Sequence, residues 1–319
     1  MNEETSPVSQ LMTTDQGEMT DTTGDNGVTS SPSGGAGYTY FASIVVVIGL
    51  IGAAANGLVL YALVASKQHK KHELIVNQNA IDFYGCLFLV ITYGLQLSNI
   101  HLSGSLGYWL CMFLLNENLL LVGIYGSSVN LMFIAIERYL KVVHPTWSKN
   151  KLRKWMTYAA AAFAWVVGFV NLAVGFETSA VIEGVCIAYV FWKNPESRIG
   201  SAIYYFIWTY VTVLVVVGFC YWKILVVVRR QVSVMASHDA TGSSAANAQL
   251  NKIQSSLIKT MILVCAFYAI MWLPEKLYVS IFVGYLNMPL PSGVYYGIMC
   301  FAFLYICASS VKGRLSAVC

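Results

Sequence analysis

Seven long apolar runs divide this chain, and they constrain its fold more than anything else in it. They fall at 40–65, 74–97, 108–142, 155–174, 202–228, 253–283 and 294–311. A bilayer core is about 30 Å thick, so a helix needs about 20 apolar residues to cross it. The runs are continuous rather than alternating, which favours helices over a membrane barrel. The expected fold is an all-α membrane protein, a seven-transmembrane-helix bundle. Composition agrees: 57% of the 319 residues are hydrophobic and only 11% charged, where a soluble domain is about a quarter charged. The net charge of +4 is small and implies no nucleic-acid partner. The surroundings are membrane lipid.

The connectors set an orientation. Three are basic: Lys67, Lys70 and Lys71; then Lys149, Lys151, Arg153 and Lys154; then Arg229, Arg230 and Lys252. The alternate connectors carry mainly Lys193 and Arg198. Cytoplasmic loops hold the excess of Lys and Arg. The N-terminus is therefore expected outside and the C-terminus inside. Residues 1–37 are rich in Thr, Ser, Gly and acids with few large apolar groups, as in a disordered extracellular tail. Residues 38–311 form the membrane domain and 312–319 a short cytoplasmic tail. The start, Met1-Asn2-Glu3-Glu4, lacks the basic and apolar character of a signal peptide. The connector 229–252 reads as a flexible polar loop. Eight cysteines occur, most inside apolar runs, and no spacing points to a metal site.

Charged and kinking residues inside the spans carry the functional signal. The third span ends in Glu137-Arg138-Tyr139, followed by Pro145. A charge pair there is either an interfacial anchor, with Arg138 snorkelling to headgroups, or a switch. Asp82 sits mid-span, where an ionisable group costs at least about 2.5 kcal/mol unless partnered. It is either a hydrogen-bonded core acid or an ion or proton site. Pro274, in Met271-Trp272-Leu273-Pro274, removes a helix hydrogen bond and kinks the sixth span.

In order along the chain, Ala55-Asn56-Gly57, Asn77-x-x-x-x-Asp82, Glu137-Arg138-Tyr139, Trp165, Phe219-Cys220-Tyr221 and Trp272-Leu273-Pro274 resemble the landmarks of a rhodopsin-like (class A) G-protein-coupled receptor. The resemblance covers about residues 38–311. It implies a multi-pass protein of the plasma membrane that takes an extracellular ligand and acts on a heterotrimeric G protein. It implies a disulfide between Cys111 and Cys186. Arg138 would be held by Glu137, then released to the G protein and Tyr221. Trp272 and Pro274 would form the activation hinge. Asp82, with Ser127 and Asn56, would form a sodium or proton site, and a sodium ion is the one cofactor implied.

A pocket is expected in the outer third, with Glu117, Asn118, Leu120, Tyr205, Trp208, Glu275 and Lys276 as candidate ligand contacts. Glu275 and Lys276 are adjacent, so at most one is expected to point squarely inward. Peptide and small-molecule ligands both remain open. Amine receptors carry an aspartate eighteen residues before the arginine, and Leu120 stands there. Cys111 lies about two residues farther from Arg138 than the family pattern, an excess that a bulge in the third span would absorb. Counting from the cysteine puts Asn118 at the amine position, again not an acid. No lysine lies between Tyr295 and Val311 to form a retinal Schiff base. Val213 replaces a familiar proline.

The seventh span departs from the pattern. Val311 and Lys312 stand about where Asn-Pro is expected, and no tyrosine follows. The expectation is a bundle truncated near the end of helix seven, with weakened signalling. A non-signalling binding or dimerisation partner of a longer receptor is the alternative function, and a receptor dimer is a further expected state. A transporter would need a relay of intramembrane charges, and the chain shows mainly Asp82. No nucleophile–base pair or metal spacing suggests an enzyme.

Overall fold

The computed structural model describes residues 35–67, 69, 72–98, 100, 102–177, 179–182, 185–188, 195–238, 263, 266–286 and 290–317. Among the described residues lie ten helices: α1 (Ala36–Ala65), α2 (Glu73–Leu97), α3 (Gly104–Leu110), α4 (Asn118–Val143), α5 (Pro145–Lys151), α6 (Lys154–Glu177), α7 (Pro195–Phe206), α8 (Thr212–His238), α9 (Ala266–Leu286) and α10 (Ser292–Ala317). α3 and α4 form one crossing, Gly104–Val143, and α7 and α8 another, Arg198–Gln231. Six crossings among the described residues are long and apolar enough to span a bilayer. The seventh apolar stretch is the shorter Ser292–Tyr305 of α10. The all-helical bundle follows the apolar runs. Residues 253–262, the start of the sixth expected span, lie outside the described residues, as does most of the 1–37 tail.

Two features depart from the sequence reading. The connector expected as a loop from 229 is helical to His238. Its first ten residues hold no glycine or proline, so nothing stops α8 there. Ahead of α7, strands β1 (Ser179–Ile182) and β2 (Val185–Ala188) pair antiparallel, Val181 opposite Cys186. Cys186 is joined to Cys111, tying β2 to the start of the third crossing across 75 residues. Buried Leu102 packs with the two sulfurs, and partly buried Leu110, Leu115 and Val181 close over them. The bundle thus has a disulfide end and, at the far end of α4, an Arg138 end.

Small residues let the crossings approach. A Cβ on Gly168 of α6 would stand 2.5 Å from the Val122 carbonyl of α4. One on Gly123 would stand 3.0 Å from the Gly85 Cα of α2. Lipid tails are as apolar as leucine, so close van der Waals packing of this kind holds membrane helices together. Large apolar side chains such as Tyr40, Leu106 and Val170 are exposed on the outside of the bundle. The main core gathers Phe41, Tyr93, Leu120, Val213, Tyr221, Tyr268, Trp272 and Phe303.

Candidate functional site

The third crossing carries the irregularity that shapes the disulfide end. Cys111–Leu115 is wound as a π-turn, and Glu117 is left-handed, φ 60°, before α4 begins at Asn118. The expected bulge lies here. It takes up the surplus between Cys111 and Arg138, so counting back from Arg138 is sound through α4, and Leu120 is fully buried in the core. The break turns backbone carbonyls toward neighbouring polar side chains. Side chains satisfy them: Asn118 Nδ2 donates to the Met112 carbonyl at 2.6 Å. From α2, Thr92 Oγ1 donates to Leu114 at 3.2 Å and Gln96 Nε2 to Leu115 at 2.9 Å. Asn118 is thereby a clamp on the break. Glu117 is swung to α2, where Tyr93 donates its hydroxyl to Oε1 at 2.6 Å.

Two further π-turns, Ile207–Val211 and Tyr278–Leu286, lie on the same side of the bundle. The first sits just ahead of Val213, which is buried. Side chains bond its carbonyls as well: the Tyr268 hydroxyl donates to Thr209 at 2.7 Å and Thr212 Oγ1 to Ile207 at 2.9 Å. Single π-turns recur at functional sites. They left no mark in the sequence reading, save the two-residue surplus in the third crossing.

The expectation that only one of Glu275 and Lys276 faces inward is corrected. Both are buried, at 7% and 2% exposure. Lys276 Nζ lies 3.0 Å from Glu275 Oε2 and donates to the Tyr205 hydroxyl, which donates to Glu275 Oε1 at 3.2 Å. Adjacent helix positions diverge by about 100°, but these two long stems bend back to one partner on α7. Nζ also sits over the rings of Tyr205 and Trp272, 4.2 and 4.9 Å from their centroids. Trp208 is placed apart from this triangle. It is half exposed and borders an outward groove between α4, α6 and α8 that includes Tyr125, Asn171 and Thr212.

Trp272 links this region to the bundle centre. It packs on Tyr305, its Nε1 has no hydrogen-bond partner among the described residues, and it lines a small cavity of about 10 Å3 with Asp82, Ser127, Ser128 and Tyr305. Pro274, two residues on, stands between Trp272 and the Glu275–Lys276 pair. Asp82 accepts from Ser127 Oγ at 2.8 Å and from Gln78 Nε2 at 3.1 Å on each oxygen. The structure thus brings Asp82 and Ser127 together. Asn56 is turned elsewhere: its Nδ2 donates to the Gly52 carbonyl at 2.9 Å and faces Cys86 Sγ at 3.9 Å.

At the other end, Glu137 does not hold Arg138. Its carboxylate takes Lys141, one turn on, at 2.5 Å. The i,i+4 order with the acid first is the favourable one, and it outcompetes a side-by-side pair whose groups point about 100° apart. Arg138 is half-buried and its shielded Nε has no hydrogen-bond partner among the described residues. Tyr139 packs edge-on against His144 and beside Phe219 of α8. Tyr221 is buried in the core of the same helix.

Comparison with known proteins returns one family. The profile described as "7 transmembrane receptor (rhodopsin family)" matches residues 55–311. Among curated relatives, the "Substance-K receptor" of Mus musculus is 25% identical over 265 residues, 79% of this chain and 65% of its own length. The "Substance-K receptor" of Homo sapiens is 23% identical over 238 residues, 72% of this chain and 56% of its own length. The "Somatostatin receptor type 5" of Rattus norvegicus is 22% identical over 266 residues, 81% of this chain and 69% of its own length. The chain thus spans less than two thirds of the length of these substance-K receptors.

Proposed function

This chain belongs to the rhodopsin family of seven-transmembrane receptors, and we propose that it passes the signal of an extracellular ligand to a heterotrimeric G protein. Membership makes it a multi-pass protein of the plasma membrane and not an enzyme. In this reading the disulfide end faces outward. The Arg138 end faces the cytoplasm, where the basic connectors carrying Lys67 and Lys149 lie.

The observation that carries the reading is the position of Trp272. One face of its ring meets the Lys276 ammonium, and the side chain also lines the Asp82 cavity. A ligand that displaces the Tyr205–Glu275–Lys276 triangle moves Trp272, and Trp272 touches the core that α4 shares with Arg138. Pro274 supplies the weak point at which α9 bends. Two sites joined through a two-state bundle are the physical content of allostery.

The ligand is a peptide or small molecule bearing a cation. Of the two acids among the candidate contacts, Glu275 is already matched by Lys276, whereas Glu117 accepts from a neutral hydroxyl and is left for a charged group. The relatives named for substance K and somatostatin support an extracellular ligand. The test is nucleotide exchange in membranes carrying this chain and a G protein, challenged with a panel of cationic peptides and amines. A hit is expected whose potency falls at least about tenfold in Glu117→Gln, the loss of one charge-assisted bond. An agonist whose potency is unchanged by that substitution would refute Glu117 as the cation partner.

A further inference from the structure

A carboxylate at membrane depth needs donors or a cation, and the family resemblance points to a cation at Asp82. The side chains around Asp82 are arranged otherwise. Gln78 stands one helical turn away on the same face of α2, and its amide nitrogen reaches Oδ1 and Oδ2 at 3.1 Å each. The same nitrogen donates to Ser127 Oγ, and the Ser127 hydroxyl donates to Oδ1. The oxygens that would hold a hard cation are already accepting hydrogen bonds from the chain.

The direction of that amide is fixed from a distance. An indole N–H can only donate, and Trp165 Nε1 on α6 donates to Asn77 Oδ1 at 3.0 Å. Asn77 must then offer its NH2 to Asn130 Oδ1, 2.9 Å away on α4. Asn130 in turn offers its NH2 to Gln78 Oε1 at 2.8 Å and to the Leu74 carbonyl at 3.0 Å. Only the NH2 of Gln78 is left to face Asp82. Reversing any one amide sets two donors or two acceptors against each other. The row runs from a donor-only indole to an acceptor-only carboxylate across three crossings.

We propose that this amide row is an internal substitute for a cation: Gln78, oriented by Trp165, Asn77 and Asn130, fills the ligand positions at Asp82, and the protein takes no sodium ion there. The proposal stands on the geometry of α2, α4 and α6 and is independent of the receptor reading, so its test needs neither ligand nor G protein. Purified protein in detergent is unfolded by heat in about 150 mM sodium chloride and in choline chloride of equal ionic strength. The wild-type midpoint is expected to be the same in both salts. Gln78→Leu removes the amide donor from Asp82 and Ser127, and is expected to gain a sodium-specific rise of about 3 °C. Gln78→Leu with Asp82→Asn loses that rise. Trp165→Phe keeps Gln78 but frees the direction of the row, and is expected to gain sodium sensitivity as well; it carries the test where Gln78→Leu does not fold. A sodium-specific rise in the wild type that Asp82→Asn removes overturns the proposal. So does the lack of any sodium response in both Gln78→Leu and Trp165→Phe.

Discussion

A buried ammonium beside a buried carboxylate is a demand that single residues place on one another. Lys276 and Glu275 are out of water, and both hydrogen-bond to Tyr205. Breaking one side of such a pair costs about 3–5 kcal/mol, because the remaining charge is stranded. Lys276→Met is therefore expected to lower the detergent unfolding midpoint sharply, and Lys276→Met with Glu275→Gln to recover most of the loss. An equal loss in the single and double variants would show that the two do not act as a pair. The exposed Glu137–Lys141 pair is the contrast: Lys141→Ala is expected to cost no more than about 0.5 kcal/mol. Sequence marked Glu275 and Lys276 but not the tyrosine they share. Helical wheel geometry gives the direction of Cβ, and the bend of a long stem toward a tyrosine on another helix lies beyond it. The same limit hid the turn of Glu137 toward Lys141.

At the scale of elements, the third crossing is both the best-marked and the least regular. Its apolar run and the surplus of about two residues ahead of Arg138 were legible, and so was the need for a bulge. The form it took, a π-turn and a left-handed Glu117, goes with Thr92 and Gln96 of α2 donating to the Leu114 and Leu115 carbonyls. A left-handed residue with a Cβ is strained by about 1–2 kcal/mol. Glu117→Gly is therefore expected to unfold at a higher temperature than Glu117→Ala, both having lost the bond to Tyr93. Equal midpoints would mean that the backbone there is not left-handed. The α4–α6 crossing gives a second check. Gly168→Ala sets a methyl against the Val122 backbone carbonyl, and overpacking of this kind costs about 1–3 kcal/mol. Neither partner in that contact is marked by composition, since glycine inside an apolar run reads like any other small residue. The hairpin β1–β2 was likewise unread, its strands being only four residues each.

For the whole molecule, the order of the landmarks along the apolar runs was enough to indicate the bundle and the family that residues 55–311 match. What it could not show was how the two ends communicate, since that depends on where Trp272 comes to rest. The Cys111–Cys186 bond fixes the outer end across 75 residues, and its removal by Cys111→Ala is expected to cost about 2–5 kcal/mol, read as lost surface expression. The central claim is that events at the Lys276 and Trp272 end reach Arg138 and a G protein. Nucleotide exchange on a co-expressed heterotrimer, in the presence of an agonist from the cationic panel, tests it most directly. Arg138→Ala is expected to lower stimulated exchange at least about tenfold, near 1.4 kcal/mol, with agonist binding unchanged. Stimulated exchange that survives intact in Arg138→Ala would contradict it.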